Sequence, residues 1–114
     1  MLVFIIYIAS LISFANSANS QEGIASRYDR SSGSKVACGG NLNEAAMTAA
    51  HKTLPCGSRV RVVNKRNGKS AIVTINDRGP FVRGRVIDLT PAAARAIGLN
   101  GLAPVSVTRR PGNG

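Results

Sequence analysis

The hydrophobic and polar positions of this 114-residue chain form one long apolar block followed by short alternating runs. Met1 to Ile12 is almost wholly apolar, and no charged side chain precedes Glu22. The block softens into small residues at Ala15, Ser17, Ala18 and Ser20. An apolar run that ends this way reads as a secretory signal peptide over residues 1–20, cleaved after Ser17, Ala18 or Ser20. It departs from the usual leader in having no Lys or Arg near its start. An uncleaved membrane anchor is the competing reading, but a span needs about 20 apolar residues and this run is shorter. The small-residue region has no cysteine, so a lipid-anchored terminus is not expected.

The remaining runs predict strands with one helix. Gly23 to Tyr28 alternates in part, and Asp29 to Gly40 is loop-like, with Ser and Gly clusters. Arg59 to Asn64 alternates basic and apolar residues, as a half-buried strand does. Ser70 to Asn76 is rich in β-branched residues, and Asn67-Gly68 lies between these two runs. That dipeptide predicts a hairpin closed by a type I′ turn. Arg85 to Leu89 reads as a further strand. Thr90 can then cap a helix, Pro91 suits its first turn, Ala92 to Ile97 propagates it and Gly98 stops it. Ala103 to Thr108 returns as a strand before a basic tail, with residues 111–114 expected to be disordered. The pattern predicts one mainly β domain over residues 21–110, a compact β-barrel with one small helix. No internal repeat, heptad pattern or glycine-rich nucleotide loop interrupts it.

Charge and cysteine content narrow the setting. Fifteen Lys and Arg against five Asp and Glu give a net charge of +10. Nucleic acid is not the expected partner: aromatic content is 4% and no recognition helix is evident. An anionic cell-wall polymer suits an exported cation better, and a solvated basic surface is the plain alternative. Cys38 and Cys56 are the only cysteines. In an oxidising compartment they are expected to pair, and closing that loop would stabilise by roughly 3 kcal/mol. Two cysteines and one histidine at this spacing supply too few ligands for zinc, so no metal and no cofactor are expected.

Chemistry near neutral pH needs a group that can take and return a proton. His51 is the only histidine, and Asp77 and Asp88 are two of the five acids; the others are Glu22, Asp29 and Glu44. Asp77 follows a predicted strand and precedes Arg78-Gly79-Pro80, which places a carboxylate at a rim. Asp88 lies between Ile87 and Leu89; if those face the core, it faces a groove or solvent. Two carboxylates flanking a sugar–sugar bond are the working pair of many glycosidases. Cleavage that closes the sugar's own hydroxyl onto its anomeric carbon needs only one carboxyl to give and recover the proton. His51 could orient a carboxylate. Each residue also has a structural reading: Asp77 as an Asx-turn or the partner of its arginine, Asp88 as a helix cap or the partner of Arg85, and His51 as a packed loop residue.

The chain resembles the bacterial rare lipoprotein A family. The match runs in order through Gly23 to Tyr28, Ala37-Cys38-Gly39-Gly40, Met47 to His51, Asn76 to Phe81 and Arg85 to Thr90. The resemblance implies a single six-stranded double-psi β-barrel with one or two short helices. It implies a periplasmic or secreted, monomeric, endolytic lytic transglycosylase. Such an enzyme cuts peptidoglycan glycan strands between N-acetylmuramic acid and N-acetylglucosamine and leaves 1,6-anhydro ends. Carried over, Asp77 and Asp88 are the catalytic pair with His51 beside them, and Thr48, Arg78, Arg83 and Arg85 are assigned to substrate binding. Many members have Glu and Asp where this chain has Gly40 and Asn43, so any role of those acids is absent or falls to Glu44. Many also carry a C-terminal peptidoglycan-binding domain, so septal targeting by such a domain is not expected. The alternative is a non-catalytic expansin- or barwin-like module that grips wall polysaccharide without cutting it.

Overall fold

The computed structural model describes residues 20–28 and 34–110. The expected leader therefore lies outside the described residues except for Ser20, as do the expected tail and the first part of the loop after Tyr28. Six strands are present: β1 (Ser20–Arg27), β2 (Thr48–Ala50), β3 (Arg59–Asn64), β4 (Ser70–Asp77), β5 (Arg85–Leu89) and β6 (Ala103–Arg109). They close a barrel in the order β1-β5-β2-β4-β3-β6. The β1–β5 and β2–β4 pairs are parallel and the other four are antiparallel.

Alternation explains the closure. Val60 and Val62 of β3, Val73 and Ile75 of β4, Ile87 and Leu89 of β5, and Val105 and Val107 of β6 are all buried. Each pair is two residues apart, so every one of these strands turns one face inward. The filling side chains are mostly β-branched, which suits a pleated, tightly curved wall. Helix α1 (Pro91–Ala96) packs against β4 and β5, and Ile97 and Leu99 just beyond it join the same core. Its start is as the sequence predicts: Thr90 Oγ1 accepts from the Ala93 amide at 3.3 Å and donates to the Ala46 carbonyl at 2.6 Å.

Two local features differ from expectation. β2 has three residues, too few to show a period, and it is the strand that joins β4 to β5. The β3–β4 hairpin forms, but not through a type I′ turn. That turn needs positive φ at both central residues, and only Gly68 has it (φ 77°), with no such non-glycine residue in the described chain. The Gly68 amide bonds the Asn64 carbonyl instead, and the Asn64 amide bonds the Lys69 carbonyl, giving a four-residue connection. The Asn67 side chain is used elsewhere: with buried Asn64 it donates to the Ile97 carbonyl, at 3.1 and 2.8 Å. Those two amides satisfy a carbonyl at the helix end that would otherwise lack a partner. Gly98 sits there at φ 66°, and a Cβ on it would fall 2.8 Å from Asn67 Nδ2.

Candidate functional site

β2 sets the distance between the two carboxylates. Ala50 is the ladder partner of Asp77 on one side and of Asp88 on the other. Asp77 reaches that position because the β2–β4 register shifts between Ala49 and Ala50, which skips Asn76. Bulges of this kind re-aim side chains at barrel rims. The two aspartates are thus two strand spacings apart, roughly 10 Å between Cα atoms. Ile87 and Leu89 are buried and Asp88 between them is only partly covered, so it faces away from the core.

Asp77 accepts three hydrogen bonds. Tyr28 Oη donates to Oδ2 at 2.7 Å, while the amides of Ala37 and Arg78 donate to Oδ1 at 2.7 and 2.9 Å. Ser26 Oγ donates to Asp88 Oδ1 at 3.1 Å. Tyr28 bonds one of the two carboxylates and Ser26, two residues before it, bonds the other. Burial raises the pKa of its phenol, and its bond to Asp77 and the charges of Asp77 and Asp88 raise it further. The hydroxyl stays protonated and remains a donor, with both carboxylates acting on it. Sequence reasoning missed Ser26 and Tyr28 as site residues. The available signal was a serine and a tyrosine two apart at the end of a predicted strand.

The Ala37 amide is held in place covalently. Cys38 and Cys56 form a disulfide with a Cα–Cα distance of 5.9 Å, and the Cys38 amide bonds the Asn76 carbonyl at 3.0 Å. The segment that covers Asp77 is therefore tied to the loop after β2.

His51 and Arg78 organise that same loop. His51 Nδ1 accepts from the amides of Thr53 and Leu54, both at 3.1 Å, so the proton resides on Nε2, which donates to Gln21 Oε1 at 2.8 Å. The His51 backbone adjoins Asp77, its amide donating to the Asp77 carbonyl, but the ring is engaged by the loop and by β1. Arg78 Nη1 donates to the carbonyls of His51 and Leu54 at 3.0 and 2.7 Å, so its guanidinium closes the turn from the other side. Thr48 Oγ1 is buried with no hydrogen-bond partner, which withholds it from a ligand. Arg83 is exposed and Arg85 half-buried; they end the loop that begins at Arg78 and carries Phe81, 79% exposed. A cavity of about 370 Å³ opens beside the His51 ring, lined among the described residues by Ser20, Gln21, Thr53, Leu54, Val107 and Arg109. Neither aspartate lines it.

Burial lowers the pKa of His51 from the ordinary 6.5, with Arg78 and then Lys52 lowering it further. The native state then holds fewer protons at this ring than the unfolded chain does. Its stabilising contribution is full above pH 6.5 and is lost as pH falls through the lowered value. The thermal midpoint is expected to drop between neutrality and about pH 5, with a shallower drop in His51→Gln. Equal slopes in the two proteins would show that this ring does not carry the effect.

A closed six-strand barrel with parallel β1–β5 and β2–β4 pairings defines a double-psi β-barrel domain. The family model described as "Lytic transglycolase" matches residues 20–107, and the chain belongs to that family. It is 56% identical over 91 residues to the probable endolytic peptidoglycan transglycosylase RlpA of Nostoc, covering 75% of this chain and 24% of that protein. It is 57% identical over 86 residues to the endolytic peptidoglycan transglycosylase RlpA of Pasteurella multocida, covering 75% and 29%. The chain thus spans 24–29% of the length of these curated relatives. The apo-form expansin of Clavibacter michiganensis shares the fold, with a TM-score of 0.63 and 22% identity over 83% of this chain and 52% of that one.

Proposed function

We propose that this domain is an endolytic lytic transglycosylase that cuts peptidoglycan glycan strands, with Asp77 and Asp88 as its carboxylate pair. The observation that carries the reading is the ladder that sets Asp77 and Asp88 on either side of Ala50, with Tyr28 and Ser26 bonded one to each. Support for the substrate comes from the relatives named for peptidoglycan.

Asp77, held by three donors, is placed to stabilise the oxocarbenium charge. Asp88 gives a proton to the O4 leaving oxygen of N-acetylglucosamine as its bond to C1 of N-acetylmuramic acid breaks. The C6 hydroxyl of the muramic residue then closes onto C1, and its proton returns to Asp88. No water is consumed, and the product end is a 1,6-anhydro sugar. His51 and Arg78 act as positioning residues that fix the loop beside Asp77. Arg83 and Arg85 complete the substrate-binding assignment, from which the buried Thr48 hydroxyl drops out, and no cofactor or metal enters. We further propose export directed by residues 1–20, a periplasmic or secreted location without stable membrane insertion, and action as a monomer on glycan rather than nucleic acid.

The test is incubation of the purified domain with peptide-free glycan strands. Anhydro-ended fragments that vanish in the doubly substituted Asp77→Asn, Asp88→Asn protein support the reading. A second reading, a non-cutting wall module, draws on the net charge of +10. It expects salt-sensitive binding to sacculi with no fragment released by either protein.

A further inference from the structure

The outer face of β3 and β6 carries an arginine cluster that the carboxylate site does not use. Arg59 and Arg61 alternate with buried Val60 and Val62, so both point outward on β3. Across the ladder, the Arg110 amide bonds the Arg59 carbonyl at 2.9 Å, and Arg61 stands opposite Thr108. All three arginines are exposed. Neither β3 nor β6 contains an acidic residue. Glu22, on neighbouring β1, is already held by Lys65. The surroundings are hydroxyls: Arg61 Nη2 donates to Ser70 Oγ at 3.3 Å, and Thr74 and Thr108 flank the row.

Like charges placed opposite one another across strands destabilise a sheet. Here one such pair, with a third cation two residues along the same face, lacks an acid on its own strands. A local rule broken without compensation inside the fold points outward to a ligand. The guanidinium fork pairs with carboxylate in bidentate geometry, and alternate residues along β3 are spaced about 6.6 Å apart, suited to successive anionic groups on an extended chain. In the closed order the β3–β6 pair lies across the barrel from the β5–β2 pair. Asp88 on β5 therefore lies opposite β3 in the barrel, whereas Asp77 ends β4, the strand paired with β3, so the arginines flank the carboxylate site on a separate outward face.

We propose that Arg59, Arg61 and Arg110 form a docking face for the free carboxylates of peptide stems on a neighbouring peptidoglycan strand, which anchors the domain to the mesh while the carboxylate site cuts. The assignment of the polymer rests on the function proposed above; the anion-binding face rests on the arginines themselves. The domain grips peptide-bearing wall and cuts glycan at separate places.

Pelleting of the full chain with intact sacculi over a range of salt concentrations tests this, beside sacculi whose stem carboxylates have been converted to amides. The Arg59→Gln, Arg61→Gln, Arg110→Gln protein is expected to bind intact sacculi on the order of tenfold more weakly, with a flatter salt dependence. Amidation should weaken the unaltered protein by a similar factor. The substituted protein should melt no lower than the original, because repulsion has been removed, and should cut soluble peptide-free strands at the original rate. Undiminished pelleting by the substituted protein, or undiminished binding to amidated sacculi, would overturn the proposal. Equal or stronger binding to vesicles of anionic phospholipid would overturn it too, in favour of a membrane surface. Absence of cutting by the unaltered protein would defeat the enzymatic reading, and cutting that survives Asp77→Asn and Asp88→Asn would defeat the carboxylate pair, either one leaving the pelleting results to judge the docking face.

Discussion

Asp77→Asn is expected to slow cleavage of peptide-free glycan strands by roughly 10²- to 10⁴-fold, the range that a positioned acid, base or charge-stabilising group contributes. The fold should survive, because the asparagine amide is nearly isosteric. Its oxygen can accept from Ala37 and Arg78 as Oδ1 does now. Its nitrogen can donate to Tyr28 Oη, whose hydroxyl turns to accept. What disappears is the negative charge facing the developing cation. A melting temperature close to that of the original, measured beside the lost rate, separates chemistry from unfolding. Retention of more than a tenth of the original rate would remove Asp77 from the mechanism.

Replacing both Cys38 and Cys56 with serine is the second large effect. The bridge spans a sequence separation of 18 residues, and the chain-entropy account assigns such a loop roughly 3 kcal/mol. For a domain of this size that corresponds to a fall of about 12–24 °C in the melting midpoint. Activity should fall as well, and further than the residual folded fraction explains, because the bridge holds the Ala37 amide against Asp77. Thermal melts of the oxidised, reduced and serine-substituted proteins check this. Coincident melts would show that the loop is held without the bond.

Where the sequence pattern was long enough to show a period, it was legible. β3, β4 and β6 announce themselves by inward-facing valine and isoleucine pairs, and α1 by Thr90, Pro91 and Gly98. The disulfide followed from two cysteines in a chain expected to be exported. β2 was not legible, because three residues carry no period and its place depends on pairing with strands distant in sequence. That strand is also what brings Asp77 and Asp88 together, so the residue types of the site could be picked out while its geometry could not. Asn67 misled for a related reason. Asn-Gly between two strands usually marks a type I′ turn, but here a tertiary demand, the open carbonyl at Ile97, claims the asparagine side chain. His51 was singled out for its chemistry, whereas two loop amides and Gln21 occupy both ring nitrogens. Tyr28 went unassigned as a site residue because a tyrosine ending a strand looks like core packing until the carboxylates beside it are seen.

The measurement closest to the central claim is mass spectrometry of the fragments released from peptide-free glycan strands. With Asp77 and Asp88 acting as one site and ring closure in place of water, the new muramic ends should be anhydro, lighter by one water than a hydrolysed end, and absent when either aspartate becomes asparagine. Reducing, hydrolysed ends, or anhydro ends that persist in both asparagine proteins, would contradict the account.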